Sequence, residues 1–97
     1  MEIPVTYLVV FDFADLKKAK GQALAQDLDR YSTKRPMLLF ASSSRAGYLI
    51  RTSLPRRDMT FDGNLLNGDS VLILELTGHC SVEGYTLKDA AEWIRRG

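Results

Sequence analysis

The amino-acid sequence predicts one α+β domain, in which helices pack on one face of a four-stranded antiparallel sheet. Two segments near the ends of the chain are apolar at successive positions, which is typical of strands in the middle of a sheet. Between them lie a long amphipathic helix pattern and two shorter strand patterns joined by a polar loop. A length of 97 residues, 45% of them hydrophobic, suits a single domain over residues 1–97.

The first strand is expected over residues 6–13, which are mostly β-branched or aromatic. Its side chains alternate between two faces, with Tyr7, Val9, Phe11 and Phe13 on one and Leu8, Val10 and Asp12 on the other. Both faces are apolar apart from Asp12. The first strand is therefore expected at the centre of the sheet.

A long helix is expected to begin after Asp15, a good capping residue, and to end near Tyr31. Apolar residues recur at helical spacing along one of its faces, namely Leu16, Ala19, Ala23, Leu24, Leu28 and Tyr31. Gly21 lies inside this helix and should cost about 1 kcal/mol relative to alanine. The helix is therefore expected to depend on packing.

Residues 37–41 and 46–52 predict a second and a third strand, joined by a hairpin loop over residues 42–45. The stretch 56–66 has apolar residues spaced for a short helix, which Asp62-Gly63 interrupts.

Asn67-Gly68 indicates a turn, and residues 70–77 predict the fourth strand. A last helix over residues 87–96 belongs to a C-terminal extension of about residues 79–97. With right-handed crossovers, this order predicts a ferredoxin-like βαββαβ sandwich plus a C-terminal helix. Helices cover one sheet face, so the second apolar face is expected to form a homodimer. Alternatively, the C-terminal helix folds over that face.

The net charge of +1 hides a segregation of charge along the chain. Residues 14–57 hold ten basic and three acidic residues, whereas residues 58–97 hold three basic and seven acidic ones. Such a basic block is suited to phosphates. We select as candidate nucleic-acid contacts Lys17, Lys18, Arg35, Arg45 and Arg51. The alternative is a solvated helix face with basic turns.

Asp12 is the most informative polar residue, because it ends a central strand beside the start of a helix, where ligands collect. In a two-fold dimer, two Asp12 carboxylates could share a Mg²⁺ ion at the dimer seam. The alternative is that Asp12 ends the strand and bonds the following turn.

Other chemistry has little support in the sequence. His79-Cys80 lacks the spacing of a zinc site, and no phosphate-binding glycine motif is present. Tyr48 is the only aromatic residue of the third strand, unlike the RNA-recognition version of this fold. The longest apolar run is far shorter than the about 20 residues of a membrane span. One cysteine and no secretion signal predict a cytoplasmic protein.

The run Tyr-Leu-Val-Val-Phe-Asp at residues 7–12 resembles the opening strand of the small CRISPR-associated adaptation proteins, an endoribonuclease-like family, and of their VapD-type toxin relatives. Residues 48–54, 69–78 and 90–94 are similar to small bacterial proteins labelled SinR-like. The resemblance implies a ferredoxin-like homodimer that binds nucleic acid or is a metal-dependent nuclease. It carries over Asp12, whereas the short, glycine-interrupted second helix departs from the family pattern.

Two hypotheses follow. The first is a dimeric nucleic-acid-binding protein whose paired Asp12 side chains hold Mg²⁺ if it cleaves. The second is a non-catalytic dimerisation or protein-interaction module, such as an antitoxin or a complex subunit, in which the segregated charges contact a protein partner.

Overall fold

The computed structural model describes residues 3–61, 63–76 and 92–94. Along the chain it has strand β1 (Val5–Asp12), helix α1 (Gly21–Tyr31), strands β2 (Met37–Ala41) and β3 (Arg45–Thr52), a 3-10 turn (Arg56–Asp58) and strand β4 (Ser70–Leu76). Residues 92–94 are also helical. No helix in the described ranges is long and apolar enough to cross a membrane.

The four strands form one antiparallel sheet in the order β2-β3-β1-β4. Strand β1 is central and pairs along its whole length with β3, from Val5 opposite Thr52 to Asp12 opposite Arg45. Its other edge pairs with β4. The predicted α+β class, the four-stranded antiparallel sheet and the central place of the first strand are confirmed.

The core lies between the sheet and α1. Tyr7, Val9 and Phe11 of β1 are buried there, together with Leu24 and Leu28 of the helix. These three residues belong to one of the two faces into which the alternation divides β1. The other face of the sheet, which we call the open face, carries Leu8, Val10 and Asp12 on β1.

Helix α1 begins at Gly21, so the prediction that it begins after Asp15 is wrong. Asp15 instead organises a separate turn, in which its carboxylate accepts the Lys17 backbone N–H at 3.0 Å. Lys20, with φ −100° and ψ 48°, is not helical and separates this turn from α1. Leu16, predicted on the apolar stripe, is 54% exposed. Glycine is unfavourable inside a helix, and here Gly21 is the first residue of α1.

The predicted second helix does not form in the described part of the crossover, where the 3-10 turn over residues 56–58 is the only helical element. Its apolar residues still fill the core, with Met59 2% and Phe61 3% exposed. The Phe61 ring packs edge-on against Phe11, 5.4 Å between centroids, and the Tyr31 hydroxyl donates to the Thr60 carbonyl at 2.6 Å. An extended segment thus takes the place of a helix on this face.

The turn predicted at Asn67-Gly68 is present. Gly68 has φ +95°, and the Asp69 N–H donates to the Leu66 carbonyl at 2.9 Å. The Asp69 carboxylate accepts the backbone N–H groups of Ala14 and Leu66, each at 3.0 Å. This carboxylate therefore joins the end of β1 to the turn before β4.

The open face carries large apolar side chains that are exposed to solvent. Phe40 is 41%, Leu72 54% and Leu74 45% exposed. Residues 92–94 lie at the opposite end of this face, where Arg51 donates to the Ile94 carbonyl at 3.1 Å. The expected C-terminal helix is thus helical over its described residues, whereas His79 and Cys80 lie outside the described ranges.

Candidate functional site

The candidate residues fall at two ends of the sheet. Asp12 and Arg45 are cross-strand partners at one end, and Lys17 and Lys18 follow β1 there. We call these four residues the Asp12 end. Arg51 lies opposite Thr6, six residues or about 20 Å along β1 from Asp12. Arg35, just before β2, lies at that second end, so the five basic residues do not form one patch.

Asp12 and Arg45 form an ion pair across the strands, with Nε 3.3 Å from Oδ2. The two side chains are 47% and 62% exposed, respectively. Exposed pairs of this kind contribute about 0–1 kcal/mol. The Asp12 carboxylate therefore bonds a neighbouring strand rather than the following turn, and water still reaches it.

The residues of one chain do not fit a Mg²⁺ site. No group of three or more histidine, cysteine or acidic side chains exists within the described ranges. Asp12 offers one carboxylate, and the positive charge of Arg45 lies on it. A magnesium ion binds several oxygen ligands, so a second copy of the chain would have to supply further ones.

A concavity of about 410 Å³ opens on the open face beside the ion pair. Its lining residues are Val10, Asp12, Phe40, Arg45, Ser70, Val71 and Leu72. It combines an aromatic ring, aliphatic walls, a cation and a carboxylate.

Phe40 is a functional candidate that the sequence did not predict. Its ring lies across Gly47, where an added Cβ would stand 2.3 Å from the ring. A bulge in β2 pairs Leu38 with Tyr48 but Phe40 with Gly47, which leaves Leu39 as the extra residue. Without that bulge Leu39 would face Gly47 and Phe40 would point to the other side of the sheet. Gly47 was the one signal of this arrangement in the sequence, because a glycine inside a strand often indicates a close approach of another group.

Lys17, Lys18 and Arg45 supply the exposed positive charge of the Asp12 end. The two lysine side chains make no hydrogen bond or ion pair with any described residue. Arg45 uses its Nε on Asp12, and its two Nη groups bond no described residue. Among the described residues, the two lysines therefore have no ionic partner, and Arg45 has its Nη donors available beside the carboxylate of Asp12.

The Arg51 side chain makes its hydrogen bonds within the chain. Its Nε and Nη2 groups donate to Thr6 Oγ1 at 3.1 Å, and Nη2 donates to the Ile94 carbonyl. The guanidinium also lies 5.7 Å from the centroid of the Trp93 ring. Lys34 contacts the same ring at 4.1 Å and donates to the Trp93 carbonyl at 2.5 Å. These contacts hold residues 92–94 on the sheet.

Arg35 differs from Arg51, because only its backbone takes part in that cluster. Its carbonyl accepts the Trp93 indole N–H at 3.2 Å, and its side chain is exposed. A second concavity, of about 560 Å³, lies between Arg35 and Trp93.

Comparison of the chain with protein-family models, with curated proteins and with solved structures finds no match. The likeness to the CRISPR-adaptation and SinR-like proteins therefore stays a resemblance. For a function, the strongest feature of the molecule itself is the Asp12 end with its exposed cations and adjoining concavity.

Proposed function

We propose that this chain is a homodimeric ferredoxin-like protein that binds nucleic acid at its Asp12 end. The observation that carries the proposal is Arg45, which lines the concavity with Nη groups that bond no described residue. Lys17 and Lys18 are exposed in the turn that follows β1 at the same end of the sheet. The strand order β2-β3-β1-β4 supports the ferredoxin-like arrangement, with the extended segment around Met59 and Phe61 in place of its second helix.

Phosphate groups are the anions best suited to these cations. Lysine acts as a flexible point charge, and arginine offers a fork of N–H donors that matches phosphate oxygens. Binding of this kind releases counterions, so its affinity falls steeply as salt rises.

The dimer is proposed to form through the β4 side of the open face. Leu72 and Leu74 are both about half exposed there, and neighbouring exposed leucines on one face favour burial against a second copy, centred here on Leu74. Sedimentation of the protein at micromolar concentration tests this. A monomer at that concentration contradicts it, and Leu74→Glu should abolish a dimer that exists.

Metal-dependent cleavage belongs to the proposal only in the dimer, where two Asp12 carboxylates would hold Mg²⁺ at the seam. If the protein cleaves nucleic acid in this way, both a chelator and Asp12→Asn should abolish cleavage. Cleavage at full rate by Asp12→Asn excludes this role for Asp12.

The ion pair between Asp12 and Arg45 favours a second candidate function. A carboxylate that already bonds a cation is a poorer metal ligand, which suits a non-catalytic dimerisation or interaction module such as an antitoxin or a complex subunit. In that case the cations of the Asp12 end contact an acidic protein surface instead of phosphates.

Binding of a labelled oligonucleotide over a range of salt concentrations distinguishes nucleic-acid binding from the interaction module. Each phosphate contact adds about −0.9 to the slope of log affinity against log salt on duplex DNA. Lys17→Gln and Lys18→Gln should each flatten the slope by about 1. The matched control is Arg57→Gln, because Arg57 is also exposed but lies in the crossover. No binding at about 50 mM salt would instead support the interaction module.

A further inference from the structure

The chain presents a half-exposed aromatic ring next to a cation on the open face. Phe40 and Arg45 line the same concavity, with Val10 and Leu72 as its aliphatic walls. We propose that this concavity is a subsite for one unpaired base of a single-stranded nucleic acid, which stacks on Phe40 while Arg45 holds the adjoining phosphate. This inference rests on the proposed nucleic-acid-binding function and specifies the form of nucleic acid.

Two features of the backbone place the ring. The bulge at Leu39 moves Phe40 to the open face, and Gly47 leaves the space that the ring occupies. The ring is supported from beneath and is still 41% exposed. A ring supported on one side and open on the other is the geometry that stacking on a base requires.

The charges around the ring suit a nucleotide. Arg45 keeps its Nη groups available after donating Nε to Asp12, so it can bond a phosphate without breaking the ion pair. Lys17 and Lys18 lie at the same end and can follow the backbone to the next phosphates. The volume of about 410 Å³ falls within the range of small-molecule sites.

A second copy of the chain is a poorer occupant of this subsite. Leu74 of the proposed dimer contact does not line the concavity, and it lies on β4, three strand spacings or about 14 Å across the sheet from Phe40 on β2. A dimer centred on Leu74 therefore leaves the Phe40 ring exposed. Duplex is also a poorer occupant, because its base faces are covered by neighbouring base pairs.

The experiment measures the affinity of the wild-type protein for a single-stranded thymidine oligomer of about twelve nucleotides. An abasic oligomer of the same length and the corresponding duplex serve as comparisons. Phe40→Leu keeps an apolar side chain over Gly47 but removes the ring, and Phe40→Tyr keeps the ring. Thermal unfolding of each variant is recorded in parallel.

We expect Phe40→Leu to weaken binding of the single strand roughly 5- to 140-fold, since stacking contributes that much per base. Its affinity for the abasic oligomer, and its salt dependence, should match those of the wild type. Phe40→Tyr should bind the single strand within about twofold of wild type, since any base can stack on either ring.

The possible failures are distinguishable. If the wild type binds the single strand, the abasic oligomer and the duplex equally, the stacking subsite is wrong and the proposed function stands. If it binds none of them at low salt, the proposed function is wrong and the subsite with it. The comparison of normal and abasic oligomers uses the wild type alone, so it decides the question even if Phe40→Leu unfolds.

Discussion

Gly47→Ala tests the placement of Phe40 directly. Gly47 lies in β3, between Val10 of β1 and Phe40 of β2. An added Cβ would stand 2.3, 2.6 and 2.9 Å from three atoms of the Phe40 ring. These separations are well below contact distance, so the ring has to move off the strand.

The expected cost can be worked out from the exposure of the ring. Phe40 is 41% exposed, so about three-fifths of it is covered, and full burial of such a side chain contributes about 1.5–3 kcal/mol. Displacing the ring should therefore cost about 1–2 kcal/mol, and residual crowding keeps the total within the about 1–3 kcal/mol of overpacked sites.

The effect of Gly47→Ala on the free energy of unfolding should change sign in a variant that lacks the Phe40 ring. In a Phe40→Ala background the new methyl group meets no ring, and alanine in a strand is better than glycine by about 0.5–1 kcal/mol. Gly47→Ala is then stabilising. The two changes should therefore show a coupling of about 1.5–4 kcal/mol in a double-mutant cycle.

Urea unfolding of the wild type, both single variants and the double variant measures this coupling. Gly63→Ala is the matched control, because nothing lies within 4 Å of the Cβ it would add. Should Gly47→Ala cost the same with and without the ring, Phe40 does not lie over Gly47. The support for the base subsite would then be lost.

Three further outcomes follow from individual contacts. Gly68→Ala should lower stability by at least about 1–2 kcal/mol in thermal unfolding, because φ is +95° and the new Cβ would stand 2.8 Å from Ala14; unchanged stability contradicts the turn. Phe61→Ala should cost about 3–5 kcal/mol in urea, as at other buried aromatic sites, and a loss under about 1 kcal/mol contradicts its place in the core. Lys34→Met should move the emission of Trp93, the one tryptophan of the chain, to longer wavelength, since loss of the Lys34 contacts to its ring and carbonyl exposes the indole to water; an unshifted spectrum contradicts those contacts.

The features that were predicted correctly depend on nearest neighbours in sequence. The alternation along β1 assigned its side chains to the correct two sets, because side chains in a strand alternate whatever the rest of the chain does. The apolar character of both sets predicted the central position of the strand. The turn at Asn67-Gly68 also depends on local sequence alone, since glycine is the residue that readily adopts the positive φ found there.

The features that were missed depend on competition or on distant contacts. Asp15 was predicted to cap the long helix, but it caps a separate turn, which Lys20 and Gly21 separate from α1. Capping preference alone does not reveal such a break. Apolar spacing around Phe61 fits a helix and an extended segment equally well. The position of Phe40 depends on a bulge in an edge strand, which becomes visible only when β2 is paired with β3.

Arg45 and Arg51 show why charge along the sequence does not define a binding surface. Both lie on β3, six residues apart and on the same face, and both belong to the basic block. Arg51 bonds Thr6 and holds the C-terminal residues, so a phosphate at Arg51 would have to displace those contacts. Arg45 keeps its Nη groups available beside an exposed ring. Of these two arginines, the long-range contacts therefore leave Arg45 as the one whose Nη donors have no partner among the described residues.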